Sequence, residues 1–432
     1  MNIMIVGGGG REHAILEKLR ENPRIEKIYA LPGNGGMAAH AECVPIRATD
    51  IDGIVRFAAE KHIDFAVIGP DDPLIAGVCD RLRANGIRCF GPSKAAAAIE
   101  GSKSFAKNLM RKYGIPTADY AVFDRATEAY AYLAGANYPV VIKADGPALG
   151  KGVIIADNRE EAFLAVRGMM EEGVFGASGS HVVVEEFLTG VEASVLAFTD
   201  GTTLIPMISA LDHKRALDGD KGLNTGGMGA LAPNPYYTLE LARSCMELIF
   251  LPTIRAMSAE LRPFSGCLFF GLMLTRHGPK VIEYNCRFGD PETQAVLPLL
   301  ETDLLEIMLA TEEGRLAEVP VRFRGGSACC VVLASEGYPG AYQTGYEISL
   351  GDANRVENVL VYHAGTKLEQ NRLVTAGGRV LGVTAVGPDA RAARYLAYSA
   401  AGKIRFEHAF YRRDIGARAI ATAEQGEQKI DG

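Results

Sequence analysis

Features typical of several protein classes are absent from this sequence. None of its eight cysteines forms a Cys-x-x-Cys pair, the spacing common in structural zinc sites and redox motifs. Most lie in apolar runs such as Gly266–Leu274 and Ala328–Leu333, so we expect buried thiols in a reducing, cytoplasmic protein. No apolar run approaches the roughly 20 residues that a membrane span needs. The apolar start, Ile3–Val6, is too short for a signal peptide.

An excess of basic residues is also lacking. Lys and Arg number 45, Asp and Glu number 52, and the net charge is −7. A general nucleic-acid-binding protein would need a basic surface, so we expect no nucleic-acid partner. A local basic pocket could still hold small anionic substrates. The length of 432 residues corresponds to about three domains.

Strand and helix patterns alternate along the first part of the chain. Short apolar runs predict strands at Ile3–Val6, Ile28–Leu31, Phe65–Ile68 and Ile87–Phe90. Apolar residues at helical spacing lie between them, with Asp50 and Asp72 as predicted N-caps and Pro73 in a first helical turn. Such alternation is typical of a parallel sheet with helices on both faces, as in a Rossmann-like domain.

The remainder mixes strands and helices less regularly. Ser102 is predicted to cap a helix that runs to Tyr113, where Gly114-Ile115-Pro116 ends it. Further helices are predicted near Glu160–Met170, Thr238–Ser258 and Ala390–Ala401. Further strands are predicted at Pro139–Lys143, Val153–Ala156, Val182–Glu186, Ala193–Thr199, Cys267–Thr275, Lys280–Asn285, Ala328–Leu333 and Val380–Thr384. We expect a multidomain protein of mixed α/β and α+β class.

A glycine run, Gly7–Gly10, directly follows the first predicted strand. Backbone N–H groups at the start of a helix can converge on an anion. The Gly-x-Gly-x-x-Gly dinucleotide fingerprint is broken, because Glu12 or His13 falls at its third glycine. The second strand also lacks the acidic residue that holds a ribose. We therefore predict a phosphate-binding turn, with a tight turn that binds no ligand as the alternative.

Two further segments suggest a nucleotide site. Lys143 ends a strand, and the glycine loop Gly146–Gly152 follows it. Such a loop can close over phosphates that the lysine contacts, although it is not a Walker A loop. In Glu185–Glu192, extended backbone can pair with an adenine edge and the last carboxylate can hold ribose hydroxyls. An edge strand with solvated acids remains an equal alternative for this segment.

The most polar strand end in the sequence predicts a metal site. Glu283 and Asn285 alternate on one strand and face the same side. Two oxygen ligands completed by phosphate and water suit Mg²⁺. Arg287 falls on that face and could pair with a carboxylate or phosphate. The alternative is a salt-bridged strand end. The segments Asp212–Arg215 and Asn224–Gly229 resemble a substrate loop, or otherwise a solvated hairpin.

In this order, the motifs resemble those of the ATP-grasp superfamily, and within it the phosphoribosylamine–glycine ligase family. The matching segments are Gly9–His13, Pro32–Asn34, Glu100–Lys103, Ile142–Gly146, Glu185–Glu192, Asp212–Arg215, Asn224–Gly229, Asn285–Glu292 and His363–Thr366. The resemblance implies a Rossmann-like N-terminal domain over 1–101 and an ATP-grasp domain over 102–320. It further implies a lid subdomain at about 117–188 and a C-terminal mixed α/β domain over 321–432.

The resemblance also implies roles for single residues. ATP would be bound by Lys103, Lys143, Lys151, Glu185, Glu186, Phe187, Leu188 and Glu192. Lys103 and Lys143 would contact its phosphates, Glu185–Leu188 would lie along adenine, and Glu192 would hold ribose. Mg²⁺ or Mn²⁺ would be held by Glu283 and Asn285. The substrates would contact Gly9, Gly10, Arg11, Asp212, Lys214, Gly226, Gly227, Arg287 and Asp290. Catalysis would depend on Arg287, Lys143, Asp212 and Lys214.

The implied reaction joins glycine to 5-phosphoribosylamine. ATP would form glycyl phosphate, and the amine would displace phosphate to give glycinamide ribonucleotide in purine biosynthesis. The partners would be small molecules only, and the chain a monomer or weak oligomer. Alternatives are another ATP-grasp ligase, a Rossmann oxidoreductase, or a nucleotide-binding regulator without turnover. No side chain is required as nucleophile, and Asp212 and His213 are weak candidates for a general base.

Three departures from the family pattern stand out. Pro147 replaces an apolar residue of the lid loop, and Asp71-Asp72 stands where Glu-Ala is usual. The strand Cys267–Thr275 carries no carboxylate. We therefore expect a stiffer loop, altered ribosylamine contacts and a metal site that depends more on phosphate and water.

Overall fold

A parallel sheet forms the N-terminal part of the molecule. The computed structural model describes residues 1–148 and 152–424. The sheet has the order β3-β2-β1-β4-β5 and all its pairs are parallel. Its strands are β1 Asn2–Gly7, β2 Lys27–Pro32, β3 Glu42–Cys43, β4 Phe65–Ile68 and β5 Arg88–Phe90. The helices are α1 Gly10–Leu19, α2 Ile51–Glu60, α3 Asp71–Ala76, α4 Val78–Ala84 and α5 Lys94–Gly101, with a 3-10 turn at Met37–Ala39.

The N-caps of these helices test the sequence predictions. Asp50 accepts a hydrogen bond from the Gly53 N–H, which confirms it as the cap of α2. The prediction for Asp72 is wrong, because α3 begins one residue earlier and Pro70 occupies the cap position. Pro73 lies in the first turn, where its missing N–H costs no hydrogen bond.

A second sheet belongs to the segment predicted as the lid. Strands β6 Tyr120–Phe123, β7 Val140–Ala144, β8 Val153–Ala156 and β9 Val182–Glu186 form an antiparallel sheet in the order β6-β9-β7-β8. The helices here are α6 Lys103–Tyr113, α7 Ala126–Leu133 and α8 Arg159–Val166, followed by a π-helical turn, Arg167–Glu171, and a 3-10 turn, Gly176–Gly179. Ser102 caps α6, as predicted. Leu133, Ile142 and Val184 belong to a separate hydrophobic core under this sheet.

The central sheet carries the predicted metal strand. Its order is β11-β10-β16-β17, with antiparallel pairing. The strands of this region are β10 Val191–Thr199, β11 Leu204–Pro206, β12 Leu211–Asp212, β13 Arg215–Leu217, β14 Lys221–Asn224, β15 Gly229–Ala232, β16 Gly266–Thr275 and β17 Gly278–Asn285. The helices are α9 Leu239–Cys245, α10 Leu251–Ala259, α11 Glu292–Val296 and α12 Leu304–Glu312. A π-helical turn, Met246–Phe250, joins α9 and α10 within the predicted long helix.

The last sheet combines strands from two distant parts of the chain. Its order is β12-β15-β18-β22-β19, and β23 also pairs with β18. The C-terminal elements are β18 Ser327–Ser335, β19 Val359–His363, β20 Thr366–Glu369, β21 Arg372–Thr375, β22 Arg379–Gly387, α13 Ala390–Ala401, β23 Ala409–Phe410 and α14 Ala417–Glu424. Short 3-10 turns occupy Leu297–Leu299, Leu316–Glu318 and Ala353–Arg355. Because β12 and β15 pair with strands of the C-terminal region, this sheet contains residues from both sides of the predicted domain boundary at 320/321. The boundary itself stays a prediction.

The cysteines fit the expectation of small buried residues. Seven are buried, and Cys43 is half-buried. Within residues 1–148 and 152–424, no helix has the length and apolar character needed to cross a membrane.

Candidate active site

A cavity of about 1310 Å³ lies between the predicted lid segment and the rest of the molecule. Chain segments far apart in sequence supply its walls. The predicted site residues that line it are Arg11, Lys103, Lys143, Glu185, Glu186, Phe187, Leu188, Glu192, Asp212, Lys214, Gly226, Glu283, Asn285, Arg287 and Asp290. Most predicted nucleotide, metal and substrate residues therefore face a common space.

The remaining predicted residues are placed differently. Among the described residues, Gly9, Gly10 and Gly227 do not line the cavity. The Gly9 N–H donates to Glu12 Oε2 at 2.6 Å, so the glycine turn already contacts a carboxylate from its own helix. Lys151 lies outside the described residues.

Arg11 and Arg287 bring two guanidinium groups to one end of the cavity. Arg287 Nη2 lies 3.3 Å from Glu100 Oε1, and its Nε is buried with no hydrogen-bond partner within the described structure. Burial would raise the pKa of Asp71, but Arg287 and Arg11 outweigh that effect and hold it below its usual value. This end is therefore polar, and it retains a buried donor that an anionic group could accept from.

Lysines surround Glu185 where the lid meets the central sheet. Lys143 Nζ lies 2.9 Å from Glu185 Oε1 and donates to the Ile282 carbonyl at 3.0 Å. Lys107 Nζ contacts the other oxygen, Oε2, at 2.8 Å. Lys103 Nζ donates to the Gly146 carbonyl at 3.0 Å. The lysines from α6 and from the lid strand β7 thus converge near the predicted phosphate position.

The predicted adenine segment leaves the lid sheet where β9 ends. Glu186 is the last residue of β9, and its Oε1 accepts from Lys280 Nζ at 2.7 Å. Phe187 and Leu188 follow the end of β9, lie outside its strand pairing, and line the cavity. Phe187 remains 41% exposed, so an apolar surface is available to a flat ring.

The predicted metal pair faces the cavity from the end of β17. Lys214 Nζ lies 3.1 Å from Glu283 Oε1 and 3.2 Å from Glu192 Oε2. The Lys214 charge is the largest cause that lowers the pKa of Glu283 to about 2. Asn285 supplies an amide oxygen two residues away on the same strand. An ionised carboxylate and an amide are suitable ligands for a hard cation such as Mg²⁺, and a positive charge already occupies the space beside them.

A larger protein cage for a metal is not found. The part of the chain that the structure describes contains no group of three or more His, Cys, Asp or Glu residues arranged to hold an ion. Mg²⁺ usually keeps several waters and binds one or two carboxylates plus substrate phosphates. The Glu283–Asn285 pair matches this small number of protein ligands.

Asp212 and Glu292 add two buried carboxyl groups. Asp212 Oδ1 accepts from the His213 N–H at 2.7 Å, and Glu292 Oε1 accepts from the Ser194 hydroxyl at 2.9 Å. Burial raises the pKa of both groups, and the charge of Glu292 raises the pKa of Asp212 further. A carboxyl with a raised pKa is suited to proton exchange.

The His213 ring is bonded to the protein main chain. Its Nε2 accepts from the Gly416 N–H at 3.0 Å, and its Nδ1 lies 3.3 Å from the Gly229 carbonyl oxygen. Burial lowers its pKa to about 4. With both ring nitrogens bonded, His213 has a structural role in this arrangement.

Comparison with known proteins identifies the family. Three family models match: the phosphoribosylglycinamide synthetase N domain over residues 1–100, its ATP-grasp (A) domain over 101–293 and its C domain over 328–418. The chain belongs to the phosphoribosylglycinamide synthetase family. The phosphoribosylamine–glycine ligase of Caldanaerobacter subterraneus subsp. tengcongensis is 48% identical over 96% of this chain and 100% of the relative. That of Halalkalibacterium halodurans is 48% identical over 98% of each chain.

Solved structures support the same assignment. The phosphoribosylamine–glycine ligase of Thermotoga maritima is 34% identical, with a TM-score of 0.84 over 96% of this chain and 100% of the other. A biotin carboxylase–beta-gamma-ATP complex from Campylobacter jejuni is 15% identical, with a TM-score of 0.75 over 98% of this chain and 95% of the other. This likeness concerns the fold alone. The family resemblance predicted from the motifs and the ATP-grasp fold are confirmed.

The predictions missed several cavity residues of this phosphoribosylglycinamide synthetase family member. Lys107 lies one helical turn after Lys103, so their spacing on α6 could have identified it. Burial lowers its pKa to about 8. Glu292 was part of a recognised motif but received no role. Arg379 and Tyr338 also line the cavity. No local sequence pattern links these two residues to the predicted substrate and metal motifs, which lie far earlier in the chain.

Proposed function

We propose that this chain joins glycine to 5-phosphoribosylamine with ATP, giving glycinamide ribonucleotide, ADP and phosphate in purine biosynthesis. Family membership over almost the whole chain, together with a cavity lined by the phosphate lysines, the carboxylate–amide pair and the substrate loop, is the observation that carries the proposal.

We infer that ATP occupies the side of the cavity nearest the lid. Lys103 and Lys143 bind its phosphates, exchanging their present carbonyl partners for stronger, charge-assisted contacts. The backbone of Glu185–Leu188 contacts adenine, and Glu192 accepts from the ribose hydroxyls. Lys107 would keep the Glu185 carboxylate in place when Lys143 turns to the phosphates. This inference rests on the ion pairs that Lys107 and Lys143 make with Glu185.

The inferred ligands of Mg²⁺, or of Mn²⁺, are Glu283 and Asn285. When bound, the ion supplies positive charge to the transferring phosphoryl group. Glu283 stays ionised over the neutral range because its pKa is lowered to about 2. Lys214 would then lose its contact with Glu283 and could face the substrates.

Transfer of the γ-phosphoryl group to the glycine carboxylate gives glycyl phosphate. The ribosylamine nitrogen then attacks the acyl carbon, and phosphate leaves. Positioning and charge neutralisation account for most catalysis of such transfers. Arg287 would pair with the anionic acyl phosphate through its unpartnered Nε, and Asp212 would accept the proton that the amine loses. Closure of the lid would exclude water, which hydrolyses acyl phosphates.

We further infer that only small molecules serve as substrates and that the chain works in the cytoplasm as a monomer or weak oligomer. The support for the compartment is the set of eight free cysteines, seven of them buried, which is typical of a reducing environment.

Release of ADP from ATP tests the proposal directly. Release should require Mg²⁺, glycine and freshly generated phosphoribosylamine together. Lys143→Met should lower the rate, whereas Lys112→Met should not, because Lys112 pairs with Glu260 on the exposed surface. ADP release without either substrate, or only with a different acid, would be compatible with the ATP-grasp fold but would reject the proposed reaction.

A further inference from the structure

Arg379 brings a guanidinium group from the C-terminal sheet into the cavity. Its Nη1 donates to the carbonyl oxygens of Gly226 at 2.6 Å and Gly227 at 3.3 Å. The same nitrogen donates to the Asp290 carbonyl at 2.8 Å, and Nη2 lies 3.4 Å from the Asp290 carboxylate. The side chain is 21% exposed, so these contacts are partly shielded from water.

The partners of Arg379 have one property in common. Gly226, Gly227 and Asp290 all belong to the predicted substrate set, yet they come from two segments about sixty residues apart. Gly227 passes close to the second segment, since a Cβ on it would lie 2.3 Å from Pro291 Cδ. Arg379 therefore joins two loops that must keep a fixed separation if both contact the same substrate.

The support behind Arg379 is rigid. Arg379 begins β22, which lies between β18 and β19 in the C-terminal sheet. Tyr338, from the same part of the chain, accepts a hydrogen bond from the Gly226 N–H at 3.1 Å. Contacts on both the N–H and the C=O of Gly226 thus fix the orientation of that residue relative to the sheet.

The charge of Arg379 is matched to its surroundings. Burial would raise the pKa of Asp290, but Arg379 and then Arg11 outweigh that effect and keep it below its usual value. Gln294 Nε2 donates to Asp290 Oδ1 at 2.7 Å. Asp290 is consequently an ionised, oriented acceptor at the cavity wall. The contacts given above for Arg379 are with Gly226, Gly227 and Asp290, and none of them is with the lysines around Glu185.

We propose that Arg379 is a positioning residue that assembles the substrate side of the cavity by joining the Gly226–Gly227 turn to Asp290. This inference rests on the proposed function. The C-terminal sheet thereby orders groups of the predicted substrate set, and we expect nucleotide binding to be independent of Arg379.

The test compares binding of two probes, glycinamide ribonucleotide and ADP with Mg²⁺, by calorimetry. The variants are Arg379→Met and Arg379→Lys, because a lysine keeps the charge but has only one nitrogen, whereas Arg379 uses Nη1 for the carbonyl groups and Nη2 for the Asp290 carboxylate. Arg372→Met is the matched control, since Arg372 is 59% exposed and pairs with Glu347 at the surface. We expect both Arg379 variants to bind glycinamide ribonucleotide about 10- to 100-fold more weakly, as loss of positioning generally does, with ADP affinity unchanged.

Rescue and kinetics separate positioning from folding. Added guanidinium should restore product binding in Arg379→Ala, and the KM for ribosylamine should rise while the KM for ATP does not. Product affinity equal to that of Arg372→Met would overturn the proposal, and so would parallel losses of product and ADP affinity. If Arg379→Met does not fold, the affinities of Arg379→Lys for glycinamide ribonucleotide and for ADP decide the question in the same way. Failure of the unmodified protein to bind glycinamide ribonucleotide would instead reject the proposed function, and this inference with it.

Discussion

Single charged residues in the cavity are held by partners that a ligand would have to replace. Lys214 lies between Glu192 and Glu283, and Lys143 lies against Glu185. Pairing makes the partial burial of these charges tolerable, because an isolated charge in a low-dielectric site is costly. The same pairing means that a bound nucleotide and metal compete with internal ion pairs.

The competition at Lys214 can be measured. Lys214→Met should raise the affinity of the ligand-free protein for Mn²⁺ by roughly 10-fold, or about 1.4 kcal/mol, because the positive charge beside Glu283 is removed. Electron paramagnetic resonance of free Mn²⁺ gives the affinity without turnover. Lys112→Met, which removes a surface ion pair with Glu260, is the control. Equal affinities in the two variants would show that Lys214 does not occupy the ion's position.

His213 should make stability depend on pH. Its pKa is lowered from 6.5 to about 4 in the folded protein, so between these values the unfolded chain binds the extra proton. Its contribution is therefore present above pH 6.5 and lost as the pH falls through about 4. In His213→Gln, the decline of unfolding free energy from pH 7 to pH 4 should be smaller by roughly 1–3 kcal/mol. Urea unfolding at several pH values measures this, and parallel curves for the two proteins would contradict it.

At the scale of elements, the predicted substrate loop is shaped by close approach between segments. Gly227 has a φ of +109°, and a Cβ there would lie 2.7 Å from Asp212 Oδ1. Both its conformation and its surroundings therefore require glycine. The loop's position therefore depends both on glycine at this residue and on the segments that contain Asp212 and Pro291.

Substitution of Gly227 tests this dependence. Gly227→Ala should lower kcat/KM by about 100-fold and the unfolding free energy by roughly 1–3 kcal/mol, because Asp212 and Pro291 must both move. Gly314→Ala is the matched control, since Gly314 also has a positive φ, +71°, but has open space around it. Kinetics and urea unfolding measure the two effects. Equal behaviour of the variants would mean that backbone strain alone, and not contact with Asp212 and Pro291, matters at Gly227.

At the scale of the whole molecule, the parts differ in how far they depend on one another. The lid has its own hydrophobic core, and the chain enters and leaves it where the Glu186 N–H donates to the Asp119 carbonyl at 2.9 Å. The C-terminal sheet, in contrast, includes β12 and β15 from the central region. Removal of these two parts should have opposite consequences.

Two truncated chains test this difference. A chain ending at residue 320 should lose cooperative unfolding, because β15 would lose its pairing with β18 and expose apolar residues such as Leu231. A chain in which a short glycine linker replaces residues 120–185 should still unfold cooperatively. Circular dichroism during urea unfolding measures both. Cooperative unfolding of the chain ending at 320 would instead support an independent domain boundary at that position.

Local patterns in the sequence predicted most strands and helix caps. Phe65–Ile68, Val153–Ala156 and Val182–Glu186 occur with the predicted bounds, because short apolar runs between turn residues are a local signal. The cap at Asp72 was wrong because Pro70 and Asp71 could begin the helix equally well. Arg379 was not predicted, since its partners at 226, 227 and 290 are distant in the sequence and contact its side chain only in the folded chain.

The sequence alone determined the family, the Rossmann-like and ATP-grasp elements, and the residue types predicted to bind phosphate and metal, because these depend on contiguous motifs. Only the tertiary structure decided which charges pair across segments. Lys107 with Glu185, Lys214 with Glu283, and Arg379 with Asp290 are such pairs. Their partners lie 69 or more residues apart, and burial and electrostatic pairing over such separations arise only when the chain has folded.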